Sequence, residues 1–140
     1  MKNENTVSNI LSIRGLKTWF YTYEGVVQAL DGVHLDIEER SILGVVGETG
    51  CGKSITALSV LNLVPRPGRI VEGEVLFDGR DLLKLGESEM RSVRGDSISM
   101  IFQRPASSLN PVVTVGTQLI SAIRLHGPET SRQAAEKAAG

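Results

Sequence analysis

The chain has 140 residues, enough for one domain or part of one. A net charge of -1 with 22% charged residues argues against nucleic acid as the main partner, since no global basic field exists to attract it. The single cysteine, Cys51, excludes an intrachain disulfide and fits a reducing compartment, and no apolar run approaches the roughly 18 residues of a membrane helix. The start, Met1-Lys2-Asn3-Glu4-Asn5, has no apolar signal segment behind it. These features predict a cytosolic chain that reaches a membrane only through a partner.

Residues 1–9 read as a flexible lead. From Ile10 to Tyr23 the apolar positions partly alternate, and from Val26 to Ile37 they alternate again at Val27, Ala29, Val33, Leu35 and Ile37. Two antiparallel strands around a turn at Glu24-Gly25 are predicted. Trp19, Phe20, Tyr21 and Tyr23 hold most of the aromatic content. An aromatic face can stack on a flat base, and Tyr23, nearest the turn, is the candidate; the competing role for each of the four is core or rim packing.

Ser41-Ile42-Leu43-Gly44-Val45-Val46 is a short apolar run of the kind expected for a strand buried on both faces. Behind it comes Gly47-Glu48-Thr49-Gly50-Cys51-Gly52-Lys53-Ser54, a glycine, four free positions, then glycine-lysine-serine. This pattern cradles phosphates. The glycines let the backbone curl so that successive N–H groups point inward, Lys53 carries a mobile ammonium to the outer phosphates, and Ser54 offers a hydroxyl to magnesium. Ile55 to Leu61 reads as a helix with Ile55, Leu58 and Leu61 on one side, so the phosphate would meet the helix N-terminus, where free N–H groups and the dipole both favour negative charge. Cys51 within the loop is either a thiol of lowered pKa or simply a small side chain.

Pro65-Arg66-Pro67-Gly68-Arg69 breaks the helix, and Val71 to Phe77 returns as a strand closed by the turn pair Asp78-Gly79. Although Val75-Leu76-Phe77-Asp78 superficially resembles a strand ending in a magnesium-holding aspartate, the Gly79-Arg80-Asp81 that follows is turn chemistry and supplies no glutamate base. Glu87 to Val93 can form a short polar helix, ended by Gly95. Ser97 to Phe102 is a second buried-type strand, and Gln103 at its carboxyl end is placed either as a metal or water ligand or as an ordinary loop residue. A proline-bounded loop spans Pro105 to Pro111. Helical spacing then covers Val115 to Leu125, and a last helix opens at Thr130 with a capping box to Gln133.

From about Leu11 the chain resembles the first half of an ATP-binding cassette (ABC) ATPase, in the branch that powers import of oligopeptides, dipeptides or nickel. Three stretches carry the resemblance: Gly47 to Ser54; Val71-Glu72-Gly73-Glu74-Val75-Leu76-Phe77-Asp78-Gly79; and Phe102-Gln103-Arg104-Pro105 through Ser108-Leu109-Asn110-Pro111 to Thr114-Val115-Gly116 and Gln118. The Ser-Leu-Asn-Pro element is the narrowest of them. The resemblance implies an α/β P-loop NTPase core with an N-terminal antiparallel β subdomain, truncated within the helical subdomain, and residues 10–140 would be a partial nucleotide-binding domain.

It also implies roles by position. Gly47, Glu48, Thr49, Gly50, Cys51, Gly52, Lys53 and Ser54 would hold ATP, Tyr23 would stack on adenine, and Ser54 with Gln103 would ligate Mg2+. The loop after Gln103 would touch transmembrane permease subunits, a second ATPase subunit would complete a homo- or heterodimer, and a solute-binding protein would act indirectly, all at the cytoplasmic face of the membrane. No counterpart of the Leu-Ser-Gly-Gly signature, the Asp-Glu strand or the switch histidine occurs in these 140 residues. Hydrolysis by this chain alone is therefore expected to be negligible, and the strand 41–46 is expected to lack a neighbour, leaving an apolar edge in water and marginal stability. The alternative is a hydrolysis-incompetent fragment that binds nucleotide or a partner without transport. No Asn-Lys-x-Asp guanine-reading element is present, which argues against a GTPase.

Overall fold

The computed structural model describes residues 8–102, 109–127 and 130–139. The chain divides between Met90 and Arg91 into two compact units. In the first, strands β1 (Asn9–Thr22) and β2 (Gly25–Glu38) form the hairpin predicted from the sequence, with Thr22 opposite Gly25 across the turn. Asn9, inside the stretch expected to be a flexible lead, already pairs with Glu38.

Alternation along β1 is only partial because the ladder slips. Its register shifts between Ile13 and Leu16, around Gly15 at φ +57. Two residues spaced by three thereby face the same side, and Ile13, Leu16 and Thr18 are all buried. Strand β3 (Gly68–Phe77) runs antiparallel along the other edge of β1, from Phe20 opposite Gly68 to Leu11 opposite Phe77. At the turn, Asp78 (φ 48) and Gly79 (φ 74) are both left-handed, as a two-residue hairpin with right-twisted strands requires, and β4 (Arg80–Asp81) closes the order β2-β1-β3-β4. The Asp81 carboxylate then accepts from the N–H groups of Leu83 at 3.1 Å and Val75 at 3.4 Å, starting a 3-10 turn at Leu82–Lys84.

One face of this sheet carries the core, in which Ile13, Leu16, Leu30, Val60, Leu61, Val75, Leu82 and Met90 are buried. Each such side chain contributes roughly 1.5–3 kcal/mol relative to exposure. Across β1 and β3, Lys17 pairs with Glu72 at 2.8 Å, directly opposite in register, and Arg14 approaches Glu74 at 4.0 Å. Such solvated pairs add only about 0.2–1 kcal/mol each, so they fix register more than stability. Helix α1 (Lys53–Val60) follows the phosphate-type loop, as expected.

The expected strand at 41–46 is not formed. Those residues have no regular structure, and Ile42 and Val46 are 100% and 94% exposed. An apolar run becomes a buried strand only when a neighbour supplies ladder hydrogen bonds, and among the described residues no segment pairs with it. The second expected strand, Ser97 to Phe102, fails likewise. Only an isolated bridge between Arg94 and Ile98 survives there, and Ile101 is exposed.

Helix α2 (Glu87–Val93) is the short polar helix predicted, and Gly95 at φ 88 ends it while Ser97 and Ile98 both donate to the Val93 carbonyl at 3.0 Å. Within the second unit, α3 (Val115–His126) packs on α4 (Ser131–Ala139), burying Ala134. The expected capping box is present: Thr130 N–H donates to Gln133 Oε1 at 3.0 Å, and Gln133 N–H donates to Thr130 Oγ1 at 3.4 Å.

Gly73 marks the tightest approach of β3 to β1. It has φ +112, and a Cβ there would lie 2.5 Å from Leu16 Cα and 2.8 Å from the Gly15 carbonyl oxygen. Gly73→Ala is expected to lower the unfolding free energy by about 2–4 kcal/mol, through strain plus backbone displacement. Gly15→Ala, with nothing within 4 Å of its Cβ, should lose only about 1 kcal/mol. Urea unfolding followed by circular dichroism compares them, and equal losses would contradict the contact.

Candidate functional site

The loop from Gly47 to Ser54 is built by backbone conformations that side-chain residues avoid. Gly50 (φ +89) and Gly52 (φ +96) are left-handed, and a Cβ on Gly47 would stand 2.7 Å from Cys51 Sγ. Lys53 closes the ring from within. Its Nζ donates to the carbonyl oxygens of Gly47 at 2.6 Å and Glu48 at 2.7 Å, and to Cys51 Sγ at 3.3 Å. Residues 47–51 and Ser54 are exposed, while Gly52 and Lys53 are half-buried where the loop meets the helix.

At the start of α1, Gly52 occupies the N-cap position and provides no side-chain cap, and no acidic residue stands in the first turn. The first N–H groups of the helix are therefore left for an external acceptor. By contrast α3 is capped by Thr114, whose Oγ1 accepts from Thr117 N–H at 3.3 Å. The Ser54 side chain is exposed and donates to nothing among the described residues. Thr56, one turn along, returns its hydroxyl to the Gly52 carbonyl at 3.0 Å.

Two contacts seat α1 on the sheet. A Cβ on Gly52 would meet Leu30 Cδ2 at 2.7 Å and the Ala29 carbonyl oxygen at 3.1 Å, so only glycine lets the helix start this close to β2. Near the other end, Ser59 Oγ and Thr18 Oγ1 share a buried hydrogen bond of 2.9 Å. Neither hydroxyl was marked out by the sequence, because the partners lie far apart in the chain and each looks ordinary alone.

The structure thus brings Gly47, Glu48 and Cys51 together on the Lys53 ammonium, with Thr49 and Gly50 in the turn between them and Gly52 and Ser54 flanking Lys53 at the start of α1. Tyr23 stands apart at the hairpin tip, 97% exposed. Its neighbour Tyr21 is engaged instead: the Arg69 guanidinium lies 5.9 Å from the ring centroid, beside a cleft of about 520 Å³ lined by Tyr21, Arg66, Pro67, Gly68 and Arg69. Gln103 lies outside the described residues. Of the residues that follow it, Asn110 and Gln118 form a local clasp: Asn110 N–H donates to Gln118 Oε1 at 2.9 Å, and Gln118 Nε2 donates to the carbonyls of Asn110 at 3.0 Å and Val113 at 2.8 Å. Those two motif residues fix the turn that enters α3. No group of three or more metal-ligating side chains occurs among the described residues, and no helix there is long and apolar enough to cross a membrane.

The Lys53 hydrogen bond holds the Cys51 thiol below its usual pKa range, against a smaller opposing push from desolvation. A lowered value means that thiolate is present at pH where an ordinary thiol is still protonated. Alkylation of Cys51 by iodoacetamide should therefore persist to lower pH than that of a free cysteine. Lys53→Ala should return the profile to the ordinary range, and an unchanged profile in that variant would remove Lys53 as the cause.

The model of the family described as "ABC transporter" matches residues 30–139. A probable peptide ABC transporter ATP-binding protein of Sinorhizobium fredii is 48% identical over 139 residues, 99% of this chain and 42% of the relative. A dipeptide transport ATP-binding protein of Bacillus subtilis is 43% identical over 132 residues, 94% of this chain and 39% of the relative. The chain thus spans about two-fifths of the length of these curated relatives. Among solved structures, an ATP-binding cassette in a dimeric post-hydrolysis state, bound to ADP and Pi, superposes with a TM-score of 0.79 at 23% identity, covering 92% of this chain and 54% of the other. At that identity the likeness is one of fold.

Proposed function

Because this chain belongs to the ABC transporter family, we propose that it is the nucleotide-binding part of an importer ATPase, which couples ATP binding and hydrolysis to uptake of peptides or a related small solute. The observation that carries the reading is the Gly47–Ser54 loop, with Lys53 folded into it at the uncapped start of α1. The peptide assignment rests on the relatives, several of which are peptide or dipeptide transport proteins.

In this reading the loop N–H groups and the first turn of α1 bind the phosphates. Lys53 exchanges its hydrogen bonds to the Gly47 and Glu48 carbonyls for phosphate oxygens, a trade of neutral acceptors for charged ones. Magnesium fits the donor set at Ser54, whose hydroxyl is exposed and unengaged, with Gln103 as the second ligand. When bound, the ion supplies charge neutralisation across the outer phosphates. Tyr23, free at the hairpin tip, supplies an aromatic face for adenine.

Partners follow from the same reading: permease subunits at the loop after Gln103, a second ATPase subunit as homo- or heterodimer, and a solute-binding protein acting through the permease. The place of work is the cytoplasmic face of the membrane, as a peripheral subunit, with residues 10–140 as part of a nucleotide-binding domain. The 140 residues by themselves bind ATP without turning it over, because their sequence contains no Asp-Glu pair to polarise the attacking water.

Titration of the chain with a fluorescent ATP analogue and magnesium tests this. Saturable binding is expected, and Lys53→Ala should weaken it about 10- to 100-fold, the value of a charge-assisted hydrogen bond of roughly 1.5–3 kcal/mol. Phosphate release should stay at the level of Lys53→Ala. Equal affinity of the two proteins would overturn the loop's role, and release above that level would overturn the binding-only reading of the isolated chain.

A further inference from the structure

We propose that Thr18 and Ser59 are positioning residues for the phosphate loop, holding α1 so that Lys53 and the loop N–H groups stand where a phosphate can meet them. The inference rests on the nucleotide reading of the loop. It begins with what does not hold the loop: residues 41–46 form no strand, and everything from 41 to 51 is exposed. Among the described residues, the loop therefore has firm structure on its downstream side only. That structure is α1.

The helix in turn is held at both ends by one rung of the sheet. Thr18 and Leu30 are directly opposite each other in the β1–β2 register. Thr18 grips Ser59 near the C-terminal end of α1 through a 2.9 Å hydrogen bond in which both residues are fully buried. Leu30, also buried, lies under Gly52 at the N-terminal end, so close that a Cβ there would meet its Cδ2 at 2.7 Å. The eight residues of α1 span about 12 Å as a rigid rod with no glycine or proline inside. A shift at Ser59 is therefore carried to Lys53, whose ammonium reaches back to Gly47 and Glu48.

A hydroxyl pair that served the core alone would affect stability and nothing else. The test compares Thr18→Val and Ser59→Ala with the chain itself, and uses Gly73→Ala as a control that is destabilised at the β1–β3 contact and leaves both hydroxyls in place. Thr18→Ser keeps the hydroxyl and serves as rescue. All are measured well below their melting temperatures, by affinity for the fluorescent ATP analogue with magnesium and by the rate of Cys51 alkylation at fixed pH without nucleotide. Thr18→Val and Ser59→Ala are expected to weaken nucleotide binding about five- to tenfold and to slow alkylation toward the rate of a free cysteine. Thr18→Ser and Gly73→Ala should leave both readouts near those of the parent chain.

Unchanged affinity and alkylation in both Thr18→Val and Ser59→Ala would overturn the proposal, and so would equal losses in Gly73→Ala. If Thr18→Val does not fold, Ser59→Ala with Thr18→Ser decides. Because alkylation is read without nucleotide, a slowed rate in a chain that binds no ATP would uphold the positioning role while removing the nucleotide reading.

Discussion

The buried hydrogen bond between Thr18 and Ser59 joins the sheet to the helix that follows the Gly47–Ser54 loop, and the proposed seating of that helix rests on it. Both hydroxyls are out of water, so leaving either one unmatched would cost about 1–3 kcal/mol. Its counterpart is the absence of a side chain at Gly52, which lets the helix begin directly over Leu30. One polar and one apolar contact thus fix a short helix at two points, beside the burial of Val60 and Leu61 in the core. A helix of eight residues would not hold its shape alone, and tertiary packing supplies what propensity does not.

From that seat the chemistry of the loop follows. An uncapped helix start with no acidic residue in its first turn offers N–H groups and a positive dipole end to solvent. Lys53 adds a full charge, stored against the Gly47 and Glu48 carbonyls rather than extended into water. Left-handed glycines at 50 and 52 shape the curl into which the Lys53 ammonium folds. The same crowding puts the Cys51 sulfur beside the ammonium, which is why an exposed thiol feels a charge at all. The proposed phosphate site draws on all of these, and the proposed seating of α1 by Thr18 and Ser59 is what brings them together.

The sequence was legible where structure is decided locally. The curled Gly47–Ser54 loop, the turn at 78–79 and the Thr130–Gln133 capping box each rest on residues a few positions apart and are found in the structure. The first hairpin, by contrast, turns at Tyr23-Glu24, one residue before the expected 24–25, with Gly25 already in β2. What failed was pairing at a distance. The runs at 41–46 and 97–102 have the composition of buried strands, but composition supplies no ladder partner, and residues 41–46 with Ile101 and Phe102 are exposed instead. The slip at Gly15, the close pass of Gly73 over Leu16 and the Thr18–Ser59 bond were invisible for the same reason, since each is a relation between elements. Lys53 was read as the charge of the loop, and the structure folds its ammonium onto the Gly47 and Glu48 carbonyls; its contact with Cys51 needed the curled backbone to be seen.

The most direct measurement is amide hydrogen exchange at single-residue resolution, with and without magnesium-ATP. If the sheet builds the loop, Thr56 and its neighbours in α1 will be protected without nucleotide, like Ile13 and Thr18 in β1, while 42–46 exchange at open-chain rates. Addition of magnesium-ATP will then slow the amides from Gly50 to Ser54. Open-chain exchange of α1 beside a protected β1, or no change from Gly50 to Ser54 at saturating nucleotide, would contradict the account.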